Sequence, residues 1–363
     1  MGRYIAKRVA LILPTLFGII LINFVIVQFA PGGPVEQIIA QVTTGNVSAT
    51  SGISGGGDSG VTDTSVDTGA NADLGSYGLD PELIKDLERQ FGFDKPAHVR
   101  FAEMVWNYAR LDFGTSFFQD RPVIELIVER MPVSISLGLW SVLLIYGISI
   151  PLGVAKAVRD GTRFDFWTSS LIFVGYAIPG FLFAVMLIVV FAGGNYFDIF
   201  PLRGLTSENF EELSTFGQIK DYFWHLALPI TALTIGGFAT LTMLTKNSFM
   251  EEINKQFVLT ARAKGLTEKR VLYGHVFRNA MLIVIAGFPS AFVGIFFTGS
   301  LLIEVIFSLD GMGLLSFEAL VKRDYPILFG TMFCFTLIGL VMHLIGDLTY
   351  VLVDPRIDFE SRD

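Results

Sequence analysis

Six apolar runs set the main constraint on how this chain can fold. They lie at residues 9–30, 133–155, 167–194, 226–245, 280–303 and 327–353. Each run is long enough to cross a bilayer as a helix, which takes roughly 20 residues. Charged residues make up only 17% of the chain and the mean hydropathy is +0.57, which is unlike a soluble domain. The sequence therefore predicts an all-α membrane protein in which six transmembrane helices form a single domain, residues 1–363.

The first run and the loop charges predict how the chain is oriented. The run at 9–30 is longer than the apolar core of a cleaved signal peptide, roughly 7–15 residues, so we expect an uncleaved first span. Basic residues in short loops favour the cytoplasmic side. With the N-terminus inside, the cytoplasmic loops hold ten basic residues: Lys156, Arg159, Arg163, Lys246, Lys255, Arg262, Lys264, Lys269, Arg270 and Arg278. Both termini are therefore predicted to be cytoplasmic.

A long polar insertion, residues 31–131, separates the first two runs and is predicted to be extracytoplasmic. Residues 43–78 consist mainly of Gly, Ser, Thr, Ala and Asp, and such a segment buries too little apolar surface to order itself. We expect a flexible loop there. Residues 80–116 have helical apolar spacing, with Asp80 at an N-cap and a second helix at about 99–111.

The longest polar segment on the predicted cytoplasmic side is residues 246–279. Its pattern predicts two short helices. The first covers residues 254–263 and ends at Gly265, which can adopt a positive φ. The second begins at Thr267 as an N-cap and carries an apolar stripe that includes His275. By spacing alone, this segment is either a helix-Gly-helix knob for a cytoplasmic partner or a basic loop held near anionic lipid.

The residue types exclude several kinds of chemistry. The chain has no Walker A sequence and no Cys/His cluster with metal-ligand spacing, so we expect no cofactor of its own. Its net charge of −8 argues against nucleic acid as a partner. Ser300 and His343 lack the Gly-x-Ser-x-Gly elbow of a serine hydrolase. The chain is therefore not predicted to be an enzyme.

Three polar residues in or beside the last two apolar runs are candidate site residues. His343 and Asp347 are spaced i,i+4 in the last run and share one helix face. They have either a structural role or a role in proton-coupled secondary transport, because charged groups at membrane depth are costly. Glu304 ends the fifth run, where it is either part of a gate or a solvated helix end.

The 246–279 segment also resembles a known family. The residues that carry the resemblance are Thr260, Ala261, Arg262, Ala263, Lys264, Gly265 and Leu266, followed by residues 275–280. They resemble the cytoplasmic EAA loop of ABC-importer permeases, most closely the oligopeptide, dipeptide and nickel branch. In that family the loop is a coupling helix that docks on an ATPase subunit. We therefore name residues 246–279 the predicted coupling loop.

Further blocks resemble the same branch. Residues 111–116 are similar to its GDFG-x-S segment, although Leu111 stands where a Gly is usual. Glu304, Asp310, Gly311 and Asp324 fall in blocks that shape the periplasmic gate in relatives. Asp354 begins an Asp-Pro-Arg sequence that closes the last apolar run, as in the family. Residues 224–229 and the long insertion are most similar to the oligopeptide subtype that also admits microcin C.

The resemblance implies the type I ABC-importer permease fold in a bacterial inner membrane. It also implies that ATP and Mg²⁺ bind to partner subunits, either two ABC ATPases or one fused ATPase. The other partners implied are a second permease in a heterodimer, a periplasmic peptide-binding protein, the peptide substrate and membrane lipid. On this view the chain translocates peptides by alternating access.

Overall fold

The computed structural model describes residues 2–29, 95–194, 196–294 and 300–353. Within these ranges the regular structure is helical, and we number the helices in chain order. They are α1 Gly2–Phe29, α2 Ala97–Ala109, α3 Val123–Val158, α4 Arg163–Ala177, α5 Gly180–Phe191, α6 Thr215–Ile253, α7 Gln256–Ala263, α8 Glu268–Val271, α9 Phe277–Gly294, α10 Ser300–Ile306, α11 Met312–Lys322 and α12 Tyr325–Val353. A π-helical turn, Leu272–Val276, joins α8 to α9. The expectations for residues 43–78, Asp80 and Asp354 lie outside the described residues.

Five of the predicted spans are helices that are long and apolar enough to cross a membrane. The third run, at 167–194, is instead divided between α4 and α5, which meet at 93°. Pro179 precedes α5 and Ile178 has extended backbone, because a residue before proline avoids the helical region. The predicted count of six therefore holds only if this bent pair is one span. The long helix α3 also starts at Val123, inside the segment assigned to the insertion.

The chain divides into two compact units. Unit 1 comprises Met1–Leu13, Ile127–Leu315 and Cys334–Asp363, and unit 2 comprises Pro14–Leu126 and Ser316–Phe333. Each is described by itself below.

Helix α6 is central to unit 1, where it contacts α4, α5, α9 and α10. Two glycines bring it against α3: a Cβ on Gly153 would lie 2.6 Å from Thr245, and one on Gly237 would lie 2.5 Å from Ile145. Small residues permit such close approach, on which helix association in lipid depends. One apolar cluster of unit 1 includes Phe249 and packs beneath α7.

Unit 2 is organised around aromatic rings. Tyr108, at the end of α2, meets Phe113 and Phe333 edge-on, with ring centroids 5.0 Å and 5.6 Å away. Gly330 approaches Phe113 and Val123 so closely that a Cβ there would lie 2.9 Å from Val123. The predicted helix at 99–111 is confirmed as α2, with slightly shifted bounds.

Candidate functional site

Helix α7 forms the first arm of the predicted coupling loop. Val258 and Ala261 share its inner face and are buried in the apolar cluster with Phe249, Val271 and Val276. The spacing of three residues places both side chains on one side of the helix. The base of the loop is thus fixed by apolar packing.

The turn after α7 is a Schellman motif, which confirms the prediction for Gly265. Gly265 has φ +80°, its N–H donates to the Arg262 carbonyl at 2.9 Å, and the Leu266 N–H donates to the Ala261 carbonyl at 3.3 Å. A Cβ on Gly265 would meet nothing within 4 Å. The backbone angle, rather than crowding, is therefore what favours glycine within this chain.

The second arm differs from its prediction in two respects. Thr267 occupies the N-cap position of α8, but its side chain makes no capping hydrogen bond. His275 is exposed, whereas Val271 and Val276 are buried, because the π-helical turn shifts the register of the stripe. Arg262 joins the arms through an ion pair with Glu268, in which Nε lies 3.0 Å from Oε1.

The tip of the loop presents a mixed surface. Thr260, Arg262, Ala263, Lys264 and Gly265 are exposed there. Sequence reasoning missed Leu259, whose side chain is 55% exposed on α7.

Glu304 lies in a closed polar site of unit 1. It is 0% exposed, so the alternative of a solvated helix end is wrong. Its Oε2 accepts from the Leu314 N–H at 2.7 Å, and the Ser134 hydroxyl lies 3.4 Å from Oε1. Ser134 also accepts from the Met312 N–H at 2.8 Å. The carboxylate therefore ties α10 to α3 and to the start of α11.

Two neighbours of Glu304 were also predicted site residues. A Cβ on Gly311 would fall closer than 3.0 Å to the Glu304 carboxylate, so only glycine fits without movement. Asp310 is exposed and forms an ion pair with Arg130. The structure thus brings Glu304, Asp310 and Gly311 into one elbow.

Asp324 belongs to unit 2, where it joins two segments that the sequence linked only by family resemblance. The Ser116 hydroxyl donates to Oδ2 at 2.5 Å and the Phe117 N–H donates to Oδ1 at 3.4 Å. The carboxylate also accepts from the Ile327 N–H in the first turn of α12. Burial raises the pKa of this carboxyl despite those hydrogen bonds.

The departure at Leu111 also has a structural meaning. Leu111 has φ +60°, in the left-handed region that glycine adopts without cost. A glycine would therefore suit the backbone here, whereas Leu111 adopts this conformation under strain.

His343 and Asp347, the polar pair of the last apolar run, lie in two different environments. Asp347 forms an ion pair with Arg8, with 3.1 Å between Nη2 and Oδ2. His343 is exposed.

Two lysines in unit 1 are unlike their predicted setting. Lys156 and Lys246 were counted as basic residues of cytoplasmic loops, yet both are buried beside Asp165. No signal in the sequence distinguishes them from the exposed Arg159. Among the described residues, no group of His, Cys, Asp and Glu could hold a metal ion.

The fold and the loop define a class of protein. Residues 149–359 match the family model described as "Binding-protein-dependent transport system inner membrane component". The chain therefore belongs to this family, the permease subunits of ABC importers. These are translocation subunits rather than enzymes, and they work with ATPase and substrate-binding partners.

Individual relatives are similar along their whole length. The chain is 61% identical over 363 residues to the peptidoglycan transport system permease protein YejB of Agrobacterium fabrum, covering 100% of both chains. It is 58% identical over 367 residues to the inner membrane ABC transporter permease protein YejB of Escherichia coli O157:H7, again covering 100% of both. It is 32% identical over 364 residues to the oligopeptide transport system permease protein AppB of Bacillus subtilis, covering 99% of this chain and 100% of that protein.

These similarities confirm the resemblance to peptide-type permeases and to the YejB subtype that residues 224–229 indicated. They also confirm the fold class, a multi-pass helical membrane protein of the ABC-importer permease type.

Proposed function

We propose that this chain is the inner-membrane permease subunit of an ATP-driven importer of oligopeptides, with both termini in the cytoplasm. The relatives named as peptidoglycan and oligopeptide permeases support peptides, or peptide-bearing fragments, as the substrate class. Peptide-nucleotides of the microcin C kind share that peptide backbone and fall within the proposed range. The basic residues of the predicted coupling loop support the orientation.

The observation that carries the proposal is the construction of the predicted coupling loop. Val258 and Ala261 anchor its base, while Leu259, Arg262 and Lys264 remain exposed at its tip. In the proposed mechanism the tip docks on an ATPase subunit. ATP binding moves the loop, and a pair of permeases alternates between outward-facing and inward-facing states. Coupling then requires the ATPases to bind those two states with different affinity.

The proposed assembly contains two different permease chains, ATPase subunits that bind ATP and Mg²⁺, and a periplasmic peptide-binding protein. A proton-coupled transporter that uses His343 and Asp347 is not favoured, because Asp347 is paired with Arg8. The elbow of Glu304, Asp310 and Gly311, together with Asp324, is proposed to shape the extracytoplasmic gate.

The test compares Gly265→Arg with a matched control, Gly265→Ala. Any side chain at φ +80° adds about 1–2 kcal/mol of backbone strain, so both variants carry that cost. Only arginine adds bulk at the docking tip, where a side chain meets nothing else in this chain. We expect the tagged wild type and Gly265→Ala to copurify an ATPase and a second permease and to import peptide.

Gly265→Arg should insert normally but lose the ATPase and peptide uptake. Normal uptake by a correctly inserted Gly265→Arg protein would refute the coupling role. A stable wild-type complex without any ATPase would refute the proposed function as a whole.

A further inference from the structure

Three buried charged residues, Lys156, Asp165 and Lys246, form a cluster where α3, α4 and α6 meet in unit 1, and the exposed Asp160 lies at its edge. Asp165, in the first turn of α4, lies between the two lysines: Lys156 Nζ is 2.9 Å from Oδ1 and Lys246 Nζ is 2.7 Å from Oδ2. Lys246 also contacts Asp160 at 2.7 Å. Each buried charge therefore has a partner of opposite sign, since Asp165 pairs with both lysines and Lys246 also pairs with Asp160 at the surface.

The cluster is hydrogen-bonded in a way that fixes α4 to α3. Lys156, 0% exposed, donates to the Asp165 carbonyl at 2.9 Å, to Thr168 Oγ1 at 2.9 Å and to Ser169 Oγ at 2.7 Å. An ammonium has three donors, so all of them are used on one helix turn. Asp165 also accepts from the Gly161 N–H at 3.3 Å, which holds the α3–α4 turn.

The position of the cluster connects it to the predicted coupling loop. One close approach of α3 and α6, at Gly153 and Thr245, is three residues before Lys156 and one residue before Lys246. Helix α6 continues from Lys246 to Ile253, and α7 begins at Gln256. At 1.5 Å per residue, the cluster is about 15 Å along the chain from α7.

A buried ion cluster contributes little net stability compared with apolar residues of the same shape, because desolvation offsets the attraction. It does impose one arrangement, since moving a single member leaves a buried charge unpaired. Such a device fits a part of the protein where the relative placement of helices matters more than their stability.

We propose that Asp165 is a positioning residue that locks the α3–α4 turn to the end of α6, so that displacement of the predicted coupling loop moves α3, α4 and α6 as one body. This inference rests on the proposed function. Without these contacts, movement of the predicted coupling loop bends the α3–α4 turn and no longer moves α3 and α4 together with α6. ATP hydrolysis then continues, but less peptide is transported.

The test measures ATP hydrolysed per peptide imported, using the full complex with its ATPases, partner permease and binding protein in proteoliposomes. We expect Asp165→Asn to raise this ratio about tenfold, equivalent to about 1.4 kcal/mol of lost coupling. The matched control is Asp160→Asn. Asp160 pairs with Lys246 from the surface, where its side chain is 46% exposed, so the ratio should change by less than about twofold.

A merely structural role for Asp165 would lower assembly, or lower hydrolysis and transport together, and leave the ratio unchanged. That result would overturn the proposal. If the Asp165→Asn protein fails to assemble, the Lys246→Gln variant is tested instead, because it keeps the Lys156–Asp165 pair. An unchanged ratio of ATP hydrolysed per peptide in Lys246→Gln would equally overturn the proposal. Absence of peptide-stimulated hydrolysis in the wild-type complex would instead refute the proposed function.

Discussion

The elbow around Glu304 allows one substitution to be predicted in detail: Gly311→Ala. The added Cβ would lie 2.7 Å from Oε2 of Glu304 and closer still to its other two carboxyl atoms. The carboxylate cannot move away without disturbing its surroundings. Glu304 is fully buried, and its Oε2 accepts a hydrogen bond from the Leu314 N–H at 2.7 Å.

The cost follows from the two ways in which the site can respond. If the carboxylate stays, overpacking costs about 1–3 kcal/mol. If it moves, it leaves the Leu314 N–H without its acceptor, and an unsatisfied buried donor costs about 1–3 kcal/mol. We therefore expect Gly311→Ala to lower the free energy of unfolding by about 2 kcal/mol.

The assay is reversible unfolding by SDS titration in mixed micelles, arranged as a double-mutant cycle. In a Glu304→Ala background the obstructing carboxylate is absent, so Gly311→Ala should cost less than about 1 kcal/mol. Gly287→Ala is the matched control, because a Cβ on this α9 residue meets nothing within 4 Å. An equal cost of Gly311→Ala in both backgrounds would show that the Glu304 contact is not its cause.

Two further predictions concern unit 2. Leu111→Gly should raise the free energy of unfolding by up to about 1 kcal/mol. The substitution relieves the backbone strain at φ +60°, and the greater entropy of glycine in the unfolded state offsets part of that gain. A loss of stability in the same SDS titration would contradict this prediction. For Asp324, burial raises the folded-state pKa, so the carboxyl's contribution is complete below its unfolded pKa and is lost as pH rises through the folded value. The wild type should therefore lose stability relative to Asp324→Asn as pH rises through that range, and a pH-independent difference between the two would refute the assignment.

Local sequence rules were enough to predict the first arm of the coupling loop and the turn that follows it. The end of α7 depends on a glycine at the C′ position, and the bonds that complete the turn involve only residues 261–266. The burial of Val258 and Ala261 follows from the period of a single helix. The π-helical turn at Leu272–Val276 carries no comparable signature, and the error at His275 followed from it.

Hydropathy identified the apolar runs but not the angle between the helices within a run. Residues 167–194 read as one span because composition says nothing about angle, whereas Pro179 divides it into helices that meet at 93°. The sequence also did not indicate which charged side chains are buried. Lys156 and Arg159 are near neighbours of similar type, yet one is enclosed by α4 and the other is exposed. The contacts of Lys156 with Asp165, Thr168 and Ser169 distinguish it from Arg159.

The buried carboxylates share a property that the apolar runs cannot supply. Within unit 1, Asp165 joins Lys246 across 81 positions and Glu304 joins Ser134 across 170; within unit 2, Asp324 joins Ser116 across 208. Lipid tails solvate leucine as well as a neighbouring helix does, so apolar surface alone discriminates poorly between helix partners. Each carboxylate has few acceptable partners and is costly to leave without one. The contacts of these carboxylates therefore add a selectivity for particular partners that apolar surface alone does not supply.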